Sequence, residues 1–406
     1  MSQFPDAFIR EIPKTDLHVH LDGSLRLDTL IELARERSIE LPSFTEDGLR
    51  QLVFKDSYEN LDEYLSGFAW TNTVLQDREA LYRVAYELAD DNFAEGVRYL
   101  EVRFAPQLHM SYTLSFEDVM HAVDGGLRTA REEINAGLSE GEPRFEYGII
   151  VCAMRYFNGN FSQYYRRLSQ IHTYSSEREI IPMASMELAK AAVKLKEETD
   201  VQVVAIDLAG SEHGNPASEH QEAFGYAHKN FLKKTVHAGE AYGPESIFQA
   251  ITKLHADRLG HGLRLFDAEM IRSPDITNTR RYVDELANFI ADNRTTIEVC
   301  LTSNLQTSPD IGSPANHSLG EMLKRNMSLT FCTDNRLISW TTVTEEIQSA
   351  LTHFDISPKQ LKNIIVYGFK RSFFYRPYPE KRKYVREVIN HYERLEEKHG
   401  INATKV

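Results

Sequence analysis

Eight short β-rich segments recur along this 406-residue chain with helical periodicity between most of them, and this alternation limits the fold more than any other feature. They lie at 15–20 (TDLHVH), 98–104 (RYLEVRF), 147–153 (YGIIVCA), 202–207 (QVVAID), 233–238 (KKTVHA), 257–261 (DRLGH), 295–301 (TTIEVCL) and 327–333 (MSLTFCT). The intervening helical patterns run from Arg78 to Phe93, Ser115 to Ala136, Ser185 to Glu198, Ala217 to Phe231, Glu245 to Leu254 and Tyr282 to Asn293. A strand–helix unit repeated eight times predicts an α/β chain folded as a (β/α)₈ TIM barrel with its active site at the carboxyl ends of the strands. No Pro/Gly/Ser-rich linker interrupts the pattern, so a single domain over 1–406 is expected.

Two regions lie outside the repeat. Residues 42–75 predict a helical insertion after the first strand. Within it Leu61, Tyr64, Leu65 and Phe68 have the i, i+3, i+4, i+7 spacing of one apolar helix face, either packed on the barrel core or lying over the pocket as a lid. Residues 378–399 (YPEKRKYVREVINHYERLEEKH) predict a C-terminal helical extension that is largely solvated.

Charge narrows the partners. A formal charge of −14 with no Lys/Arg block excludes the basic face that nucleic acid requires, so the expected partner is a small molecule. No run approaches the ~20 apolar residues of a membrane span, and the N-terminal stretch lacks the pattern of a secretory signal. A cytoplasmic location is expected. Cys152, Cys300 and Cys332 form no C-x-x-C pair, which points to reduced core thiols and away from a sulfur-ligated zinc site.

The polar residues at the strand ends carry the chemistry. His18 and His20 are two apart on the first strand and so share a face. His237 closes the fifth strand, Glu240 follows it across a small Ala-Gly pair, His261 closes the sixth, and Asp334 ends the eighth. Three imidazoles and one carboxylate, His18, His20, His237 and Asp334, suit a divalent ion that keeps a position open for water. Zinc, iron, cobalt and manganese are all compatible with that donor set. Asp207, Glu298 and Ser303 also end strands, from where they could orient the ligand imidazoles. Eleven other histidines, His109, His220 and His317 among them, show no partner pattern and are expected on the surface or in the core.

The stretches TDLHVHLDGS (15–24), EVRFAP (101–106), VCAMR (151–155), VVAIDLAGSE (203–212), TVHAGE (235–240), RLGHG (258–262), EVCLTSN (298–304) and CTDN (332–335) resemble, in order, the adenosine deaminase family of metal-dependent amidohydrolase barrels. The resemblance implies a (β/α)₈ barrel, one divalent metal ion per chain, usually zinc, and hydrolysis of a 6-aminopurine nucleoside to the 6-oxo product and ammonia. By position, it makes His18, His20, His237 and Asp334 the metal ligands. Glu240 becomes the proton donor to purine ring nitrogen 1, and His261 the residue that orients or deprotonates the attacking water. It further implies that Asp22 and Met154 face the ribose and that the Gly210 amide binds ring nitrogen 3.

One departure stands out. Many members carry two consecutive aspartates at the eighth strand, the second contacting ring nitrogen 7, whereas this chain has Asn335. An asparagine amide always carries donor hydrogens, while a carboxyl donates only when protonated. Asn335→Asp is therefore expected to keep activity only below the pKa of the new carboxyl. Full activity well above neutral pH would refute this. Rival substrates within the class are adenine, an N6-methyl-AMP and aminodeoxyfutalosine. Outside it stand a two-metal amidohydrolase, which needs a bridging lysine not found at the fourth strand end, and an inactive barrel, which would have lost a ligand.

Overall fold

The computed structural model describes residues 4–401. Among them are eight strands: β1 (Lys14–His20), β2 (Val97–Phe104), β3 (Glu146–Met154), β4 (Val203–Ala209), β5 (Lys233–Ala238), β6 (Arg258–His261), β7 (Thr296–Val299) and β8 (Leu329–Phe331). They pair in parallel in sequence order, and nearly every strand residue is buried, as a sheet covered on both faces requires. Beyond β8 the seam to β1 is closed at Val19 and Asp334, where the Asp334 amide donates to the His18 carbonyl and the His20 amide to the Asp334 carbonyl, each at 2.7 Å. Expected metal ligands thus sit on the closure of the barrel.

The expected barrel stands, with shifted boundaries. The segment at 295–301 stops as a strand at Val299, because Leu301–Thr307 turns into a helix whose Thr302 amide donates to the buried Glu346 carboxyl. The helix expected from Ser185 begins at Glu177, where Ser176 and Glu179 form a capping box, and it carries Pro182 in its interior. At Gly260, a Cβ would lie 2.9 Å from His18 Cε1, so only glycine lets β6 approach that ring.

The insertion is not one helix. It forms three short ones, Glu46–Leu52, Leu61–Leu65 and Phe68–Val74, broken at Ser66-Gly67. It is fastened to the loop after β8 by Trp340 Nε1–H donating to the Phe54 carbonyl at 2.9 Å and by the Tyr64 hydroxyl, which lies 2.7 Å from Ser339 Oγ. Phe68 lies edge-on to His20, 6.1 Å between ring centroids. Leu61 and Tyr64 of the insertion's apolar face are thus buried, while the half-buried Phe68 reaches the strand ends.

The C-terminal helix Tyr378–His399 is less solvated than its charge suggests. Tyr384, Val388, Tyr392 and Leu395 form a buried stripe, and the Tyr384 hydroxyl donates to the Arg98 carbonyl at the start of β2 at 2.7 Å. The helix therefore packs against the end of the barrel opposite the candidate site. Spacings of three and four residues among many charges conceal such a stripe in a composition-based reading. No helix among the described residues is long and apolar enough to cross a membrane.

Candidate active site

Donor atoms of His18, His20, His237 and Asp334 converge at the carboxyl ends of β1, β5 and β8, all within 4.8 Å of one another. Nε2 of His20 is 3.1 Å from Nε2 of His237, and Asp334 Oδ1 lies 3.4 Å from His18 Nε2 and 3.5 Å from His20 Nε2. Ligands 2.0–2.1 Å from a tetrahedral ion stand about 3.3 Å apart, so this spacing fits one small divalent cation. His18 Nε2 is buried and has no hydrogen-bond partner, as a nitrogen reserved for an ion would be. Asp334 holds φ +61° and His261 φ +64°, a left-handed backbone that non-glycine residues adopt at a cost and that clusters at functional sites.

A charged layer lies beneath. His18 Nδ1 bonds Glu298 Oε2 at 2.8 Å, and His237 Nδ1 lies 2.9 Å from Asp207 Oδ2, which leaves each Nε2 facing the cluster. The Arg103 guanidinium donates to both carboxylates, at 3.0 Å to Asp207 and 2.8 Å to Glu298, and Arg258 bridges Glu298 to Glu101. Burial alone would raise the Asp207 carboxyl, but His237 and Arg103 hold it well below the usual range. Asp207 and Glu298 thus bond the ligand imidazoles from their strand ends, whereas the Ser303 hydroxyl donates to the Cys300 carbonyl at 3.4 Å. Arg103 was legible only as part of the EVRFAP stretch. Nothing in its spacing shows that it joins two strands across the barrel.

Glu240 Oε2 lies 3.6 Å from His261 Nε2. Burial, followed by the Asp334 and Glu212 carboxylates, pushes the Glu240 carboxyl well above its ordinary value, which favours its protonated form. His261 is pushed the other way, chiefly by burial, and is a neutral imidazole. Its tautomer follows from a buried relay. The Leu319 amide can only donate, and it reaches His317 Nδ1 at 3.0 Å, so the His317 proton is on Nε2 and goes to Asn304 Oδ1 at 3.2 Å. Asn304 Nδ2 then donates to His261 Nδ1 at 2.9 Å, which leaves the His261 proton on Nε2, facing Glu240. His317 carried no sequence signal, and Asn304 was legible only as the end of the EVCLTSN stretch, because the relay joins three separate elements.

The remaining expected residues line the same rim. The Asp22 carboxyl is buried and pushed up to about 7 by burial. Its Oδ2 lies 3.9 Å from Nε2 of His109, whose Nδ1 donates to the Leu75 carbonyl at 2.9 Å. Asp22 Oδ1 and His109 Nε2 are both buried without a partner, so His109 is more than the satisfied core residue expected. Gly210 holds φ +95°, and Met154 Cε would lie 3.4 Å from a Cβ there, which puts Met154 against Gly210. The Asn335 amide donates to the Tyr64 hydroxyl at 2.8 Å, and its Oδ1 has no partner.

Comparison with known proteins accords with this geometry. The family model for adenosine deaminase matches residues 13–391. The chain belongs to the adenosine deaminase family. Adenosine deaminase 1 of Streptomyces coelicolor is 34% identical over 384 residues, covering 94% of this chain and 87% of that protein. Among solved structures, the arabidopsis N6-mAMP deaminase is 25% identical with a TM-score of 0.72, covering 95% of this chain and 99% of that one. The adenine deaminase of Arthrobacter aurescens, 20% identical with a TM-score of 0.73 over 93% of this chain and 98% of its own, shares the fold. As a member of this metal-dependent family, the chain retains a group of residues that could hold the ion.

A cavity of about 450 Å³ opens from this adenosine deaminase site, lined in part by Glu240, Glu59, Asp62 and Asp310. Arg264, the one Lys or Arg of its lining, is tied to Asp310 by two bonds of 2.7 Å.

Proposed function

We propose that this chain hydrolyses adenosine, and with it 2′-deoxyadenosine, to the inosine product and ammonia, using one divalent ion, zinc, held by His18, His20, His237 and Asp334. The observation that carries this reading is geometric: the buried Glu240 carboxyl lies 3.6 Å from His261 beside a His/Asp cluster that could hold a metal ion, and burial raises its pKa. When bound, the ion supplies a water whose pKa is lowered from 15.7 towards about 7.

Glu240 donates its proton to purine ring nitrogen 1, which offsets the loss of aromaticity as oxygen adds to carbon 6. One water proton restores the Glu240 acid, and the other leaves with the exocyclic nitrogen as ammonia. The carbon–nitrogen bond breaks, the carbon–oxygen bond becomes a carbonyl, and ring nitrogen 1 keeps its hydrogen. His261, a neutral imidazole with its proton on Nε2, is a donor there, which supports an orienting role over a deprotonating one. Asp22 and His109 offer acceptors for the sugar, and the Gly210 amide serves ring nitrogen 3. Asn335 has a second amide hydrogen for ring nitrogen 7 while the first holds Tyr64.

The acidic cavity supports a nucleoside over a nucleotide, because a phosphate would face Glu59, Asp62 and Asp310 with Arg264 already engaged. Adenosine, adenine, AMP and N6-methyl-AMP offered side by side to metal-analysed protein decide the matter. Turnover of N6-methyl-AMP above adenosine would transfer the reading to the alternative that the arabidopsis relative represents.

The insertion supplies a further expected result. Tyr64→Phe removes the hydroxyl that joins Asn335 and Ser339, and should raise KM for adenosine by about tenfold, the worth of one or two buried hydrogen bonds, with kcat nearly kept. An unchanged KM with a lower melting temperature would make Tyr64 a packing residue only.

A further inference from the structure

Glu212, two residues beyond Gly210 in the loop after β4, is 2% exposed and is neither a candidate metal ligand nor a group assigned to the purine. Its carboxylate is nonetheless the most heavily bonded near the site. Oε1 accepts from the Gly239 amide at 3.0 Å and from the Ser246 hydroxyl. Oε2 accepts from the amides of Glu240 at 3.0 Å, Ala241 at 2.7 Å and Tyr242 at 2.9 Å. Four consecutive backbone N–H groups pointing to one place form a nest for an anion, and here the anion is a side chain from the neighbouring strand's loop.

That nest is the turn that carries Glu240. Left empty, its buried donors would have no reason to converge, and the turn could relax to other conformations. The two loops are joined again where the Gly214 amide donates to the Tyr242 hydroxyl at 3.2 Å, and where Arg155 donates to the Asn215 carbonyl at 2.7 Å and the His237 carbonyl at 2.6 Å. A frame built in this way fixes the separation between the Gly210 amide and the Glu240 carboxyl. Those two groups are assigned to ring nitrogens 3 and 1, which flank the same carbon of the purine.

We propose that Glu212 is a positioning residue for the deamination: its carboxylate, held by the amides of 239–242 and by Ser246, sets the Glu240 acid against ring nitrogen 1 and locks it to the Gly210 side of the purine pocket. This rests on the adenosine deaminase reading. A displacement of about 1 Å in such an acid costs on the order of a hundredfold in rate while binding changes little. Glu212 thus acts on kcat more than on KM.

The test is chemical rescue. Glu212→Ala leaves a nest that a formate ion can fill, so kcat for adenosine should fall about a hundredfold, KM should move far less, and added formate should restore at least a tenth of the lost rate. Glu212→Gln fills the same space with an amide whose NH₂ opposes the backbone donors, and it should be as slow and insensitive to formate. Formate should also raise the melting temperature of Glu212→Ala but not of the wild type, a readout independent of which purine is the substrate. Wild-type protein that holds metal yet leaves adenosine untouched would remove the functional reading, while the melting shift would still report on the nest. Wild-type kcat in either variant overturns the proposal. So does a folded, metal-loaded Glu212→Ala that formate neither stabilises nor reactivates. If the alanine variant does not fold, Glu212→Gln and Ser246→Ala, each expected to be at least several-fold slower, test the proposal through kcat, and wild-type kcat in both overturns it.

Discussion

Glu240→Gln is expected to lower kcat for adenosine by about 10³-fold while leaving metal content and melting temperature near those of the wild type, within the range of 10²–10⁴ for loss of a positioned acid. The amide keeps the shape and a hydrogen-bond donor but cannot transfer a proton to ring nitrogen 1. The pH dependence has a definite sign. Burial and the Asp334 and Glu212 carboxylates raise the Glu240 pKa, so the active, protonated form persists to higher pH than in an ordinary glutamate and activity falls as pH rises through that raised pKa. In Glu240→Gln this alkaline limb should vanish from the residual rate. More than a tenth of wild-type kcat in the glutamine variant would remove Glu240 from the role of acid.

Removing the metal should have an effect at least as large. Chelation followed by desalting is expected to cost about 10⁴-fold, since Lewis-acid activation of water supplies several kcal/mol and each decade of rate is worth about 1.4 kcal/mol. Adding back one equivalent of zinc should restore the rate, and the stoichiometry should be one ion per chain. In His237→Ala the same addition should fail. His237 supplies one nitrogen of the cluster, and its loss also strips Asp207 of the imidazole 2.9 Å away. A chelated protein that stays fully active, or a stoichiometry of two, would overturn the metal assignment.

Much of the site was legible before the fold. His18 and His20 share a face because strand side chains alternate, and His237, His261 and Asp334 each sit within a few residues of a strand end in a barrel whose strand ends share one rim. The residues that the sequence missed all act across the barrel. His109 reaches Asp22 from the segment after β2, His317 reaches His261 through Asn304, and Glu212 holds the turn of the next strand. No spacing along a chain encodes such partnerships, because each spans loops whose separation in sequence is unrelated to their separation in space.

The insertion shows the same division in a single element. Its apolar spacing predicted a buried face, and Leu61 and Tyr64 are buried. The break at Ser66-Gly67, and the Tyr64 hydroxyl that meets Asn335 and Ser339, depend on where the loop after β8 runs.

The sequence by itself determined the barrel and put His18, His20, His237, Glu240 and Asp334 at or near its strand ends, because strand periodicity and strand ends are local properties of the chain, while the roles proposed for them follow from the family resemblance. Only the tertiary structure decided which nitrogen of His261 carries the proton, which carboxyl has its pKa raised by burial and which is saturated with donors. Tautomer, pKa and side-chain position are set by buried partners, and burial is a property of the folded whole.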